Sequence, residues 1–351
     1  MRLGIFLPNW IGDVVMATPA LRALRKLVGD DGRLVGIMRP YVADVLAGTT
    51  WLDERILYDK PASRFAMADR AVYQELAAAR LDCAVLLTNS LRTAWMAWRS
   101  GARVRIGHAY DARSWLLTSR LPRPRTADGR LVPTLDAYLM LAEAAGAPPE
   151  PPRLELATTP ADERAADAVW RQLELPAGER VVIVNCSGAY GMAKHWPVEH
   201  FAQLAQRIVG ETSCAVLVNC GPGERDIAGE IAARADHPRV VSLAGLDQLP
   251  MGLTKACIRR ARMLVTTDSG PRFLAIAFGK PVVSLFGPTD PAATATGYDR
   301  ETCLSLSLDC QPCMAPTCPL GHHRCMRELS VEQVFRVVAE RLGARHSEHA
   351  A

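Results

Sequence analysis

Four stretches of this chain carry residue types that could do chemistry. In the first, the apolar run Leu264–Thr267 leads into Asp268-Ser269-Gly270-Pro271 and then a helical pattern. Such an arrangement sets unpaired backbone N–H groups and the positive end of a helix dipole at the carboxyl end of a strand, which suits an anion such as a diphosphate. Ser269 and Gly270 are the candidate cradle. A cap formed by Asp268 or Ser269, with Pro271 in the first turn, explains the same residues without a ligand.

The second stretch runs from Ser187 and Gly188 through Tyr190-Gly191 to Lys194-His195-Trp196-Pro197, just after a strand ending at Asn185. Ser187, Gly188 and Lys194 are placed to meet a ligand phosphate, and a lysine supplies a compact charge to a leaving diphosphate. In the third, Cys220-Gly221-Pro222-Gly223-Glu224 again joins strand to helix, and Glu224 could accept from ribose hydroxyls. An ordinary surface lysine and a first-turn glutamate favoured by the dipole account for the same residues. Neither a P-loop nor a well-placed G-x-G-x-x-G occurs, so phosphate must be held in another way.

The fourth stretch holds five of the ten cysteines, in residues 303–325. Cys310, Cys313, Cys318 and Cys325 offer four thiols with His322 and His323 in the last interval, a pattern suited to tetrahedral zinc or iron. Reduced thiols or a disulfide are the alternatives. A closed four-thiolate site would serve stability or assembly, not catalysis. Cys83, Cys186, Cys214, Cys220 and Cys257 lie singly, several in apolar runs, as small buried hydrophobes do.

Charge is uneven. Lys and Arg outnumber Asp and Glu by 20 to 15 in residues 1–150 and stand at 21 to 22 in the remainder, for a net +4. Residues 92–130 contain nine arginines against Asp111 and Asp128. Arg92, Arg103 and Arg105 are candidates for forked recognition of carboxylates or phosphates, or part of a solvated basic face. So small a net charge argues against nucleic acid as a partner.

These residues need a scaffold, and the apolar periodicity supplies one. Strands are expected at Leu3–Leu7, Leu34–Met38 and Ala84–Leu87, with helices from Asp13 onward and over Asp69–Arg80. After Gly146-Ala-Pro-Pro-Glu-Pro-Pro152, which reads as a linker or boundary, a second alternation begins. Its strands are Val181–Asn185, Ala215–Asn219, Leu264–Thr267 and Val282–Phe286. Its helices are Val198–Ile208, Glu224–Ala235, Pro271–Phe278 and Val331–Leu342. The fold class is α/β, with two doubly wound, Rossmann-like halves facing a cleft.

Length agrees: 351 residues suit two domains. The boundaries expected are 1–155, 156–330 with the cysteine-rich segment, and a helical 331–345 packing back on the first domain. With 49% hydrophobic and 22% charged residues the chain is neither disordered nor fibrous. No run reads as a signal peptide or membrane span, so a cytoplasmic location is expected.

In combination the stretches resemble the ADP-heptose:lipopolysaccharide heptosyltransferase family, inverting enzymes of the GT-B fold, and are most like its heptosyltransferase II branch. The matching segments are Leu7-Pro-Asn-Trp-Ile-Gly-Asp13, Gly188–Pro197, Gly221–Glu224, Thr267–Arg272 through Gly279-Lys-Pro281 to Leu285-Phe-Gly-Pro-Thr289, and the cysteine-rich tail. The resemblance implies Asp13 as the base that deprotonates the acceptor hydroxyl. It implies Lys194 on donor phosphate and sugar, Glu224 on ribose, Asp268 on heptose hydroxyls, Ser269 with Gly270 on the diphosphate, and adenine near Leu243–Met251. It requires no catalytic metal.

The implied partners are an ADP-heptose donor and an anionic lipopolysaccharide-core acceptor, with peripheral contact at the inner leaflet of the cytoplasmic membrane. In a protein-modifying branch of the family a cysteine-bound iron organises the C-terminal region, so a protein O-heptosyltransferase is the nearest alternative. One position departs from the pattern. Where the family commonly carries His, this chain has Phe273, a ring that cannot donate a hydrogen bond. Arg272 is the candidate replacement donor, and a catalytically silent nucleotide-sugar-binding protein is a third reading.

Overall fold

The computed structural model describes residues 1–59, 70–127, 129–186, 188 and 190–343. Two compact units divide the chain: residues 1–157 with 292–297, and residues 158–291 with 298–351.

The first unit is built on a six-stranded parallel sheet: β1 (Arg2–Phe6), β2 (Arg33–Met38), β3 (Glu54–Leu57), β4 (Cys83–Leu86), β5 (Val104–His108) and β6 (Ser119–Leu121). Its order is β3-β2-β1-β4-β5-β6. The second unit contributes β7 (Val181–Asn185), β8 (Ala215–Asn219), β9 (Val240–Ser242), β10 (Met263–Thr267), β11 (Val282–Phe286) and β12 (Glu301–Ser305), in the order β9-β8-β7-β10-β11-β12. Counted from its own first strand, each sheet runs 3-2-1-4-5-6. The order in which strands are added therefore reverses beside the first strand, between β1 and β4 and again between β7 and β10, and a crevice opens at the carboxyl ends there.

Central strands are near-continuous apolar runs because helices cover both faces. Every residue of β7, β8, β10 and β11 is buried. The edge strands β3, β6, β9 and β12 are partly exposed, and the apolar pattern did not mark them. Cys303 lies in β12, opposite Ser284 of β11, so it is a strand residue.

The helix expected from Asp13 onward is two helices, Ile11–Met16 and Thr18–Val28. Pro19 sits at the start of the second, where a missing N–H costs nothing. The expected helix Asp69–Arg80 is Arg70–Ala78; Asp69 lies outside the described residues.

The proline-rich segment is not a loose linker. Arg22 donates to Glu150 at 2.8 Å and to the Pro151 carbonyl at 3.2 Å, and Lys26 lies 2.5 Å from Glu150. Those contacts bind it to the helix Thr18–Val28, and the change of unit comes later, at Ala157–Thr158.

The C-terminal helix also differs from expectation. Val331–Leu342, started by a Ser330–Gln333 capping box, packs on the helix Val198–Glu211 of the second unit. Phe335 lies under the Arg207 guanidinium at 4.0 Å, and Trp196 Nε1 donates to the Leu329 carbonyl at 2.9 Å. Its apolar face, Val334, Phe335, Val338 and Ala339, is buried and makes that helix part of the second unit. No helix among the described residues is long and apolar enough to cross a membrane.

Candidate active site

At the crevice of the second unit, the segment after β7 carries Lys194 in a short 3-10 turn, Met192–Lys194. The segment after β10 carries Asp268. Lys194 Nζ donates to Asp268 Oδ2 at 2.6 Å and to its carbonyl at 2.9 Å. Thr289, three residues beyond β11, donates to the same Oδ2 at 2.8 Å. Three strand ends thus converge on one carboxylate, which is only 7% exposed. Its immediate task is to fix Lys194.

The helix Gly270–Ala277 begins beside this cluster without a side-chain cap. Ser269 turns its hydroxyl away, accepting from Asn185 Nδ2 at 3.1 Å and lying 3.0 Å from Thr266 Oγ1. Asn185 in turn accepts from Asn219 at 2.8 Å, so a buried polar ladder joins the ends of β8, β7 and β10. The simple cap is therefore not what these residues form, and the helix start remains open to an anion. Gly188 belongs to the segment after β7; Ser187 lies outside the described residues.

Arg272 cannot replace the missing histidine. It is 1% exposed, bound to Glu301 by contacts of 2.5 and 2.9 Å and facing Asp268 Oδ1 at 3.6 Å. Burial works against its charge and the Glu301 carboxylate outweighs that, holding the guanidinium above its ordinary pKa. Phe273 is buried, its ring 4.7 Å from this guanidinium.

Glu224 Oε2 accepts from the Gly221 N–H at 2.7 Å, a bond from the side chain back to the backbone three residues earlier. The segment Leu243–Met251 is held by Arg225, which donates to the carbonyls of Ala244 at 2.5 Å and Asp247 at 3.1 Å. Beyond Thr289 a cavity of about 360 Å³ opens, bounded by Asp290, Ser305, Ser307, Asp309 and Gln311.

In the first unit Asp13 occupies the first turn of the helix Ile11–Met16, at the carboxyl end of β1, where the helix dipole favours a carboxylate. Burial first and the Asp13 charge second hold the Tyr138 phenol well above its ordinary pKa, which places the two together. The loop before Asp13 is held by Tyr41, whose hydroxyl donates to the Asn9 carbonyl, and by Tyr58, 3.4 Å from Asn9 Oδ1. Burial raises the Tyr58 phenol, and the Arg39 and Arg92 guanidiniums nearby pull the other way.

Arg39 escaped the sequence reading. The available signal was its place, one residue past β2 at a strand's carboxyl end.

The three arginines proposed for the acceptor do not stay together. Arg92 lies in the first turn of the helix Leu91–Arg99 after β4, at the end that carries Asp13. Arg103 and Arg105 stand at the start of β5, where Arg105 is level with Ala84 at the amino end of β4, the opposite edge of the sheet. Arg105 also donates to the carbonyls of Leu116 and Ala102, both at 2.6 Å. Arg113, another of the run, is fully buried and donates to the His108 carbonyl at 2.7 Å. Trp98 and Trp115 are 43% and 62% exposed on neighbouring elements.

Cys310, Cys313, Cys318 and Cys325 line one cavity of about 20 Å³, room for one water-sized occupant. Burial, then the neighbouring sulfurs, raise the Cys325 thiol. Backbone N–H groups, that of His323 foremost, lower the Cys318 thiol. No group of three or more His, Cys, Asp or Glu among the described residues is spaced to hold a metal ion. The thiols are the right donors around a shared space, at positions that do not themselves form a ligand shell. Of the other six, burial raises Cys186 to about 12 and Cys220 to about 11, leaving inert thiols.

The description "Glycosyltransferase family 9 (heptosyltransferase)" matches residues 70–324. Lipooligosaccharide heptosyltransferase 2 of Campylobacter jejuni is 23% identical over 99% of this chain and 100% of its own length. Among solved structures, a family 9 glycosyl transferase from Veillonella parvula superposes with TM-score 0.81 at 21% identity, covering 98% of this chain and 97% of that one. The ADP-heptose lipopolysaccharide heptosyltransferase II of Escherichia coli gives 0.77 at 21% identity, covering 97% and 98%. The fold these structures share is GT-B, as expected from the sequence.

Proposed function

Because the chain belongs to glycosyltransferase family 9, the heptosyltransferase family, we propose that it transfers heptose from ADP-L-glycero-D-manno-heptose to the inner core of lipopolysaccharide, inverting the anomeric carbon. The observation that carries this reading is the Lys194–Asp268–Thr289 cluster beside an uncapped helix start. An ammonium has three N–H donors; two point at Asp268, the charge lies 4.9 Å from the Tyr190 ring centroid, and a donor phosphate would take the third N–H.

Asp13 takes the proton from the acceptor hydroxyl as that oxygen attacks the anomeric carbon. The bond from that carbon to the ADP oxygen breaks, and its electron pair leaves with ADP. A carboxylate of ordinary pKa near 4 is a weak base, so its value lies in position. Lys194 and the main chain at Ser269 and Gly270 meet the charge that grows on the leaving diphosphate, with Ser187 and Gly188 on the same phosphates. Glu224 serves the ribose. Asp268 presents what remains of its carboxylate to heptose hydroxyls, and the adenine lies against Leu243–Met251.

On the acceptor side, Arg92 is better placed than Arg103 or Arg105 for the phosphates and carboxylates of an inner core. Trp98 and Trp115, exposed in the same arginine-rich stretch, suit peripheral contact with the inner leaflet of the cytoplasmic membrane. Cys310, Cys313, Cys318 and Cys325 would hold a structural zinc or iron; bound there, the metal would cross-link the segment and take no part in transfer.

The test is a donor screen across ADP-, UDP- and GDP-sugars, offered with an inner-core lipid or with a protein acceptor, and with the product identified. Transfer from ADP-heptose to the lipid is expected. Transfer to protein alone would replace this reading with a protein O-heptosyltransferase. Donor binding without transfer to either would indicate a nucleotide-sugar-binding protein. Elemental analysis of the purified protein decides the metal.

A further inference from the structure

The turn that carries Lys194 is not held by its own secondary structure, which is one 3-10 turn. It is held from residues more than 120 positions later. The Ala193 N–H donates to the Pro316 carbonyl at 3.0 Å, and the Tyr190 hydroxyl donates to the Met314 carbonyl at 2.5 Å. His323 Nε2 lies 2.7 Å from the Ala193 carbonyl; a carbonyl only accepts, so this ring nitrogen carries the proton.

The approach is close enough to exclude a side chain at Gly191. Its φ is 154°, and a Cβ there would lie 2.3 Å from the Pro316 carbonyl oxygen. The far side of the segment is anchored too. The Met314 N–H donates to the Pro288 carbonyl at 2.8 Å, and Gln311 donates to the Gly287 carbonyl at 2.7 Å, both just past β11. His323 is itself tied into the cysteine-rich segment, its backbone N–H meeting Cys318 Sγ at 3.4 Å.

We propose that the cysteine-rich segment is a strut that sets Lys194 for the donor diphosphate, with His323 as its positioning residue. The inference rests on the reading that Lys194 meets that diphosphate. A turn fixed before the nucleotide arrives need not be ordered when it binds, so the strut's contribution appears as ADP affinity.

The test is calorimetry of ADP binding to the full-length chain and to Lys194→Ala, His323→Ala, His323→Gln and the double alanine variant. His323→Ala should weaken ADP about fivefold, the effect of one hydrogen bond. His323→Gln, whose amide N–H can reach the same carbonyl, should restore most of it. In the Lys194→Ala background the His323 change should have no further effect, since the two act through one contact. Unchanged affinity in His323→Ala, or an equal loss with and without Lys194, overturns the proposal. If His323→Ala does not fold, Tyr190→Phe, which removes one oxygen from the same clamp, takes its place in the cycle under the same criteria. Wild-type affinity in Lys194→Ala would overturn the strut together with its premise, and would show that the Lys194 reading is what failed.

Discussion

At the corner between β1 and β4, the first unit offers a short loop pinned by two tyrosine hydroxyls, one carboxylate in a helical first turn, and Arg39 and Arg92 nearby. At the corner between β7 and β10, the second unit offers a buried network of charges, Lys194 with Asp268 and Arg272 with Glu301, braced by a segment from the far end of the chain. Strand order is the same in both. The difference shows that topology provides the place, and that the loops entering it decide which side chains gather there and how they are braced.

Removing the carboxylate of the first corner should have the largest effect. Asp13→Ala is expected to lower kcat by about 10²–10⁴, the range for a general base, and a steady-state transfer assay checks it. Retention of full transfer would remove the proton-accepting role from the first unit.

Next comes the buried network of the second corner. Glu301→Ala leaves the Arg272 guanidinium buried without its main partner, which typically costs about 3–5 kcal/mol. Urea unfolding should show a loss of that order. A loss well under 1 kcal/mol would mean that the network is not what makes this corner rigid.

Lys194→Ala should lower kcat/KM for the donor by about 10²–10³, measured at saturating acceptor. An effect confined to acceptor KM would reverse the division of labour between the corners. Arg92→Gln should raise acceptor KM about tenfold with donor KM unchanged, whereas Arg105→Gln, at the other edge of the sheet, should leave both unchanged. Equal effects from the two would show that distance from the β1 carboxyl end does not matter.

Much of this was readable from residues alone, and the limits have physical causes. Buried central strands announce themselves: Val181–Asn185, Ala215–Asn219 and Val282–Phe286 have the same bounds in sequence and structure. Lys194 and Asp268 follow such strands, so their meeting was foreseeable. Composition could not sort the arginines, because a charge count does not say which end of the sheet a residue occupies; Arg92 follows the carboxyl end of β4, whereas Arg105 stands near the amino end of β5. The direction of the Ser269 hydroxyl was hidden for a related reason, since it is drawn into a ladder with Thr266 and with Asn185 on a neighbouring strand. The bracing of Lys194 depends on contacts between residues 190–193 and 314–323, which no local pattern encodes.

The most direct test of the central claim is to measure ADP affinity by calorimetry and heptose transfer by product analysis on Asp13→Ala and Lys194→Ala in parallel. Asp13→Ala should bind ADP as the unmodified chain does while losing transfer, and Lys194→Ala should lose ADP affinity. If Asp13→Ala weakened ADP as much as Lys194→Ala, or kept full transfer, the assignment of donor binding to one unit and proton removal to the other would be wrong.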